Sequence, residues 1–181
     1  AYYDGEEAFV EGLQDWIHRH VVLARDMAAA EEDPEIRDNL LEIAAMNEVL
    51  VDDAPSTFRE ACQFLAWFQS VDRMWSAGGA LGQIDELLLP YYETDIAAGR
   101  LTDEEAIWCL ASLFFNDTHY SQIGGPAADG HDVTSRVSFL VLEAMHRLRI
   151  PINMAVRVHD DLDPNLLRQA VVNLFADGTG C

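Results

Sequence analysis

The sequence contains no lysine, only three cysteines and no long apolar run, and each of these shortages excludes a class of protein. Its 11 basic residues are all arginine and stand against 32 Asp and Glu residues, so the net charge is −21 over 181 residues. Such a surface repels the phosphates of nucleic acids and anionic lipids, which argues against both as partners. No apolar run approaches the roughly 20 residues that a membrane-spanning helix needs.

The cysteines are odd in number and show no C-x-x-C spacing. This argues against a disulfide framework and a structural zinc site, and it favours the reducing cytoplasm as the place where the protein works. The histidines show no metal-ligand spacing either, so we expect no bound metal. Arginine without lysine suits a protein adapted to concentrated salt and suits a GC-rich genome equally well, and the composition leaves both interpretations open.

Half of the residues are apolar, which is enough for a buried core, and their spacing predicts helices through the first two thirds of the chain. Residues 1–53 predict a hairpin of two helices, the second beginning at Asp33-Pro34, where the aspartate caps the helix and the proline opens it. Residues 54–120 predict buried helices, because apolar side chains occupy most of their sides. Thr57 and Thr102 each begin a capping box with a glutamate three residues later, which marks two helix starts.

The last third of the chain predicts a different arrangement. Over residues 121–181 we expect a loop from 121 to 132, then a helix, a strand over 152–158 with period-two alternation, and a final helix. The predicted structure is therefore mostly helical with one strand. Since one strand cannot form a sheet alone, we expect residues 1–181 to be a single segment of a larger α/β structure.

Four motifs follow one another along the chain. Thr57 begins T-F-R-E-A-C-Q, and Gly82 begins G-Q-I-D, which is followed by L-P-Y-Y-E-T-D and G-R-L-T. Gly124 begins G-G, with D-G-H-D-V-T shortly after it, and Pro151 begins P-I-N-M-A-V-R-V-H. In order and spacing, these motifs resemble those of the pyruvate formate-lyase-like family of glycyl radical enzymes, and the resemblance covers essentially the whole chain.

The resemblance implies both a fold and a kind of reaction. Family members have a ten-stranded α/β barrel and cleave carbon–carbon or carbon–heteroatom bonds of small organic substrates by radical hydrogen abstraction. Gln83, Glu86 and Ser135 stand where the family usually has Arg, Gln and Asn, which indicates a divergent branch. Pyruvate formate-lyase itself, a dehydratase, a decarboxylase and an unassigned lyase all stay open as the reaction type.

The resemblance also implies partners and a cellular setting. The radical is carried by a glycine of the protein and is installed by a radical-SAM activating enzyme, so we expect no bound cofactor. Family members commonly form homodimers and work anaerobically in the cytoplasm. The Arg-Val-x-Gly-type loop that carries the radical has no match here, so we expect this segment to be inactive in isolation. The alternative is a non-catalytic helical scaffold or interaction module derived from the family.

Cys181 is the one candidate for the catalytic thiol. It follows Gly178-Thr179-Gly180, and the family's thiyl cysteine also follows a glycine. The spacing disagrees, however, because the family has a further strand and helix between the Asn-Met-Ala-Val-Arg strand and that cysteine. A buried apolar role is therefore the favoured interpretation of Cys181. Cys62 and Cys109 lie within apolar helices, and we expect them to be structural.

The resemblance places the substrate pocket at the segment that follows the third helix. Its glycines allow the backbone to approach a ligand closely, although an ordinary helix C-terminus needs a glycine as well. Asn153 and Arg157 share one face of the predicted strand and are further candidates. In so acidic a chain, pairing of Arg157 with a neighbouring acid is the favoured alternative. The predicted substrate-binding residues are Trp75, Ala77, Gly78, Gly79, Ala80, Asn153 and Arg157.

Overall fold

A computed structural model describes residues 2–75, 81–118 and 120–178 of the chain, except for the side chain of Trp75. The chain divides into two compact units, residues 1–56 and residues 57–181. Among the described residues, no helix is long and apolar enough to cross a membrane.

The described part of the first unit consists of two helices, α1 (Tyr2–Ala30) and α2 (Pro34–Asp52), which pack against each other. Asp33 caps α2 through its carboxylate, which accepts the backbone N–H of Glu35 at 2.9 Å. The pairing of the helices is fixed near one end by Gln14, whose Nε2 donates to the carbonyl of Val51 at 2.8 Å. Between the helices lies a small core of buried apolar residues, which are Val21, Ala24 and Ala44.

The second unit surrounds a small sheet with helices. Its described elements, in chain order, are α3 (Phe58–Trp75), β1 (Gly82–Gln83), α4 (Ile84–Ala97), α5 (Asp103–Asn116), β2 (Ser121–Ile123), α6 (Arg136–Leu148), β3 (Met154–Val156) and α7 (Pro164–Asp177).

Both predicted capping boxes are confirmed. Thr102 accepts the backbone N–H of Glu105 through Oγ1 at 3.3 Å, and Glu105 in turn accepts the backbone N–H of Thr102 at 2.8 Å. Thr57 and Glu60 make the same pair of bonds, at 3.2 and 3.1 Å. These reciprocal bonds satisfy backbone donors that a helix start would otherwise leave unpaired.

The three strands form a parallel sheet in the order β1-β2-β3. In this sheet Gln122 stands opposite Gln83 on one side and Ala155 on the other. The prediction of a single strand over 152–158 is therefore wrong in number, and the observed strand covers only residues 154–156. The prediction of a loop over all of 121–132 is also wrong, since β2 occupies its first three residues. β1 and β2 have only two and three residues, which are too few to show period-two alternation, whereas the alternation that predicted β3 extends over residues 152–158.

The core of the second unit lies around α6, whose Val137, Leu140, Val141 and Leu142 are at most 1% exposed. Helices α3, α4, α5 and α7 contribute further buried apolar residues to the same cluster. The expectation that the helices of residues 54–120 are buried holds for one side of them only. On the other side Phe68 and Trp108 are exposed, so an apolar sequence on most sides of a helix does not by itself mean burial on all of them.

Candidate functional site

Polar groups and two glycines gather at the edge where the three parallel strands end. Gln83 closes β1, and its side-chain Nε2 donates to the carbonyl of Gly124 at 3.0 Å. Gly124 and Gly125 follow β2 directly, and Arg157 follows β3. Because the carboxyl ends of parallel strands are where open α/β sheets bind ligands, this edge is the candidate functional site of the described chain.

Asp85 anchors the β2 end of this edge. The side chain is fully buried, and its Oδ2 accepts the backbone N–H of Gly124 at 2.8 Å and the hydroxyl of Ser138 at 2.5 Å. Its Oδ1 accepts the backbone N–H of Glu86 at 3.0 Å. Burial raises the pKa of Asp85, and the hydrogen bonds from Ser138, Gly124 and Glu86 oppose that rise. One carboxylate therefore ties the glycine turn to both α4 and α6.

Arg157 lies directly on the second glycine of the turn. Gly125 has a φ of +96°, and a Cβ added there would sit 2.6 Å from Cβ of Arg157 and 3.0 Å from its Cζ. Nη2 of Arg157 donates to the carbonyl of Pro126 at 3.5 Å, which is a long hydrogen bond. Nη1 is buried and has no hydrogen-bond partner. The expected alternative for Arg157, a salt bridge to a neighbouring acid, does not form among the described residues.

Asp132 fixes the far end of the loop that carries the glycines. Its Oδ1 accepts Nε2–H of His159 at 3.1 Å and the hydroxyl of Thr134 at 3.0 Å, while its Oδ2 accepts the backbone N–H of Asp163 at 2.9 Å. Partial burial raises the pKa of Asp132, but the hydrogen bonds from Asp163, His159 and Thr134 outweigh it and hold the pKa below its ordinary value. The loop is thereby joined to the segment between β3 and α7.

Asn153, the other predicted strand residue, lies just before β3 at its amino end. It is exposed and, together with Tyr120, Gln122 and Ala155, lines an open cavity of about 420 Å³. Asn153 and Arg157 are four residues apart, which at about 3.3 Å per residue separates their backbones by about 13 Å. The structure therefore places these two candidates at opposite ends of the strand instead of side by side.

The remaining predicted substrate residues are not located by the structure. Trp75 is the last residue of α3, and its side chain lies outside the described part. Cys181 and the segment Ala77, Gly78, Gly79 and Ala80 also lie outside the described residues. Their roles stay predictions.

The two cysteines that the structure describes have a structural environment. Cys62 is buried in α3, and burial raises the pKa of its thiol well above the ordinary value. Cys109 of α5 is partly buried, and burial raises the pKa of its thiol as well. Both thiols therefore stay protonated and packed against apolar neighbours. Among the described residues, no group of three or more His, Cys, Asp or Glu side chains is arranged to hold a metal ion.

The sequence profile of the family described as pyruvate formate lyase-like matches residues 1–181 of this chain. The chain belongs to that family. Its relatives are glycyl radical enzymes, so the resemblance of the four motifs is confirmed.

Two curated relatives of this pyruvate formate lyase-like chain are an isethionate sulfite-lyase from Desulfovibrio desulfuricans and a 4-hydroxyphenylacetate decarboxylase glycyl radical subunit from Clostridioides difficile. The first is 29% identical over 170 residues, which cover 80% of this chain and 20% of the relative. The second is 29% identical over 185 residues, which cover 90% of this chain and 20% of the relative. The chain thus spans about a fifth of the length of these relatives.

Solved structures agree with this assignment. A structure on 1,2-propanediol dehydration in Roseburia inulinivorans superposes with a TM-score of 0.86 at 26% identity and covers 91% of this chain and 24% of that one. A glycyl radical enzyme from Archaeoglobus fulgidus superposes with a TM-score of 0.84 at 28% identity and covers 92% of this chain and 24% of that one. The described fold, a small parallel sheet among helices, is therefore a part of the fold of glycyl radical enzymes.

Sequence inspection missed Asp85 as a residue of the site. The available signal was the aspartate of the G-Q-I-D motif, which lies at the start of a helix next to Ile84 and close to the apolar run from Leu87 to Leu89. A carboxylate in such a place needs hydrogen-bond partners, since an unpaired buried charge is costly. Its partner Gly124, however, lies 39 positions away in the sequence.

Proposed function

We propose that this chain is an internal part of a glycyl radical enzyme that cleaves a carbon–carbon or carbon–heteroatom bond of a small organic substrate by radical hydrogen abstraction. The observation that carries the proposal is the family match over residues 1–181, together with relatives that include a lyase and a decarboxylase of this class. The alternative, a non-catalytic scaffold or interaction module, has no comparable support among the relatives.

In the proposed enzyme this chain builds part of the wall of a substrate cavity. Asp85 holds the glycine turn at the end of β2, and Asp132 holds the same loop against the β3–α7 connection. Asn153 and Arg157 then offer polar groups at the two ends of β3, and the segment from Trp75 to Ala80 is the proposed substrate contact between α3 and β1. The chain's contribution is to position these groups and to keep water away from the substrate radical.

The radical chemistry itself does not fit the thiols that the structure describes. A glycyl radical, when present, supplies hydrogen abstraction through a cysteine that touches the substrate. Cys62 and Cys109 are packed within helices and are not placed for this role. We therefore propose that the radical glycine and the relaying cysteine lie outside residues 1–181, and that the isolated segment is inactive. A radical-SAM activating enzyme, a homodimer and an anaerobic cytoplasm complete the proposed setting.

The first test is the reading frame that encodes the chain. A frame that continues past Cys181 into a Gly-Cys loop and an Arg-Val-x-Gly loop supports the enzyme, whereas a stop codon directly after Cys181 supports the scaffold. The whole product is then incubated anaerobically with its activating enzyme, S-adenosylmethionine and a reductant. We expect a glycyl doublet in electron paramagnetic resonance from the whole protein and none from residues 1–181 alone.

The second test concerns the substrate and the thiol. The activated protein is assayed with pyruvate, isethionate, 4-hydroxyphenylacetate, 1,2-propanediol and glycerol, the last four being compounds named with relatives of the chain. We expect turnover of a compound of this small organic class, and we expect Cys181→Ala to leave that turnover largely intact. A Cys181→Ala protein that keeps the doublet and loses turnover would identify Cys181 as the thiyl cysteine instead.

A further inference from the structure

Arg157 carries an unsatisfied donor in a chain where acceptors are abundant. Its Nη1 is buried without a partner, and its Nη2 makes one long bond to the Pro126 carbonyl. A buried donor without an acceptor costs on the order of 1–3 kcal/mol. The Arg157 side chain should therefore leave this conformation when a hydrogen-bond acceptor becomes available. Because the side chain is only half-buried, it can reach such an acceptor.

The carboxylates around the loop are not free to supply that acceptor. Asp85 uses Oδ2 for Gly124 and Ser138 and Oδ1 for the backbone of Glu86. Asp132 uses Oδ1 for His159 and Thr134 and Oδ2 for the backbone of Asp163. Either carboxylate would have to break hydrogen bonds of its own to pair with Arg157.

Other arginines of the chain differ from Arg157 in this respect. Each of the following is paired with a carboxylate: Arg25 with Glu48, Arg73 with Asp117, Arg100 with Asp95, Arg136 with Asp103, and Arg147 with Glu104. With 32 acidic residues and 11 arginines in the sequence, a half-buried arginine without an acid needs a reason. The conformation supplies a reason. The Arg157 side chain lies against Gly125, and a side chain at position 125 would displace it.

We propose that Arg157 is the receptor for a carboxylate or a similar oxyanion at the carboxyl edge of the sheet. The planar guanidinium fork matches two oxygens of such a group and forms strong charge-assisted bonds with it. Gly125 lies under the guanidinium, which can occupy this edge of the sheet because a glycine has no side chain. A small shift of the Arg157 side chain away from Gly125 presents Nη1 and Nη2 together to the oxyanion.

The oxyanion has two possible sources. It is either the acidic group of a small molecule bound in the cavity, an assignment that rests on the proposed function, or a carboxylate from a segment of the same protein outside residues 1–181. The recognition chemistry is the same in both cases. In the first the residue selects the substrate, and in the second it tethers one part of the protein to another.

The test compares Arg157→Gln with Arg168→Gln in the whole protein that carries this chain. Arg168 is exposed on α7, so its substitution removes the same charge without touching the site. Thermal midpoints are measured against increasing acetate at constant ionic strength, which separates binding from screening of the net charge.

For a free oxyanion, we expect acetate to raise the midpoint of the wild type and of Arg168→Gln, with an apparent affinity about tenfold or more weaker in Arg157→Gln. Arg157→Lys, which keeps the charge and loses the fork, replaces Arg157→Gln if the latter does not fold.

A crystal structure with selenate, an oxyanion whose selenium scatters anomalously, decides between the sources. Selenate within about 3.5 Å of Nη1 together with the acetate shift supports the small-molecule source. A carboxylate of another segment at that distance, without an acetate shift, supports the tether. Two results overturn the proposal. In the first, only water lies on Nη1. In the second, selenate is bound but the acetate-dependent rise of the midpoint is as large in Arg157→Gln as in the wild type, so the selenate is an adventitious ion only. Each of these outcomes is independent of radical activity, so the enzyme proposal can stand while this one fails.

Discussion

Single carboxylates fix the loop between β2 and α6, and each does so by accepting several hydrogen bonds at once. Asp85 holds the Gly124 end, and Asp132 holds the far end. Their electrostatic situations are opposite, because burial dominates at Asp85 and raises its pKa, whereas hydrogen bonds dominate at Asp132 and lower its pKa. The two residues therefore respond differently to substitution and to pH.

Replacing Asp85 with alanine should destabilise the second unit by about 3 kcal/mol, since it leaves the Gly124 N–H and the Ser138 hydroxyl without an acceptor in the core. The matched control is Glu86→Ala at the next position, an exposed side chain whose removal should change the free energy of unfolding by less than about 0.5 kcal/mol. Urea unfolding followed by circular dichroism measures both. Equal effects of the two substitutions would contradict the role given to Asp85.

Asp132 should make the stability of the protein depend on acid pH. Because its folded pKa lies below the ordinary value of 3.8, it contributes stability that is present above the unfolded pKa and is lost as the pH falls through the folded pKa. We therefore expect Asp132→Asn to be less stable than the wild type at pH 7, and the gap to close below about pH 4. The control is Asp161→Asn, an exposed acid on the same β3–α7 segment. A gap that is constant between pH 3 and pH 7 would show that the charge of Asp132 does not matter.

At the scale of elements, one residue joins the start of α3 to the end of α4. Asp95 is buried, and its Oδ2 accepts the backbone N–H of Phe58 at 2.8 Å. Its Oδ1 accepts Nε and Nη2 of Arg100 at 3.0 and 2.6 Å. The first bond satisfies a donor at the beginning of a helix, where the helix itself offers no acceptor.

We predict that the hydrogen bond between Asp95 and the Phe58 N–H contributes more to stability than the ion pair between Asp95 and Arg100. Asp95→Ala should cost about 3 kcal/mol, because it leaves the Phe58 N–H unsatisfied in the core. Arg100→Ala should cost less than about 1 kcal/mol, because the Arg100 side chain is about half exposed and its ion pair is screened by water. Glu93→Ala, an exposed acid on the same helix, is the control. Denaturant titration of the three variants would contradict this interpretation if Arg100→Ala proved the most damaging.

The sequence predicts the helices far better than the strands, and the cause is the range of the interactions. Asp33 and Thr102 cap their helices by bonding to backbone groups two or three residues away, so the signal is local. The strands β1 and β2 exist only because they pair with each other and with β3, and such partners cannot be read from a run of two or three residues.

The same distinction applies to the candidate site. The period of two placed Asn153 and Arg157 on one face of the strand predicted over 152–158, but it did not reveal that Gly125 lies against Arg157. Likewise, the bond between Asp85 and Gly124 closes a separation of 39 positions. Contacts of this kind depend on the packing of several elements, so only the folded chain shows them.

At the scale of the whole molecule, the second unit leaves apolar side chains uncovered beside β3 and along α7. Val158 is 64% exposed and Phe175 is 85% exposed. Met154, Leu167 and Val171 line an open cavity on the same side. The chain spans about a fifth of the length of its relatives. In the proposed enzyme we expect further parts of the protein to cover this surface, because large exposed apolar patches are uncommon on proteins that stay monomeric.

The net charge of −21 should make the stability of the protein depend on salt. Like charges repel most strongly in the compact state, and added salt screens them, with a screening length of about 10 Å at 0.1 M and about 3 Å at 1 M. We therefore expect the thermal midpoint to rise as KCl increases from dilute buffer to 1 M.

The matched variant replaces Glu6, Glu7, Asp160 and Asp161, which are exposed, by their amides. If repulsion is the cause, this variant melts higher than the wild type in dilute buffer and gains less from KCl. An equal gain in both proteins would assign the effect to general salting-out, and an unchanged midpoint in the wild type would remove the interpretation of the chain as adapted to concentrated salt.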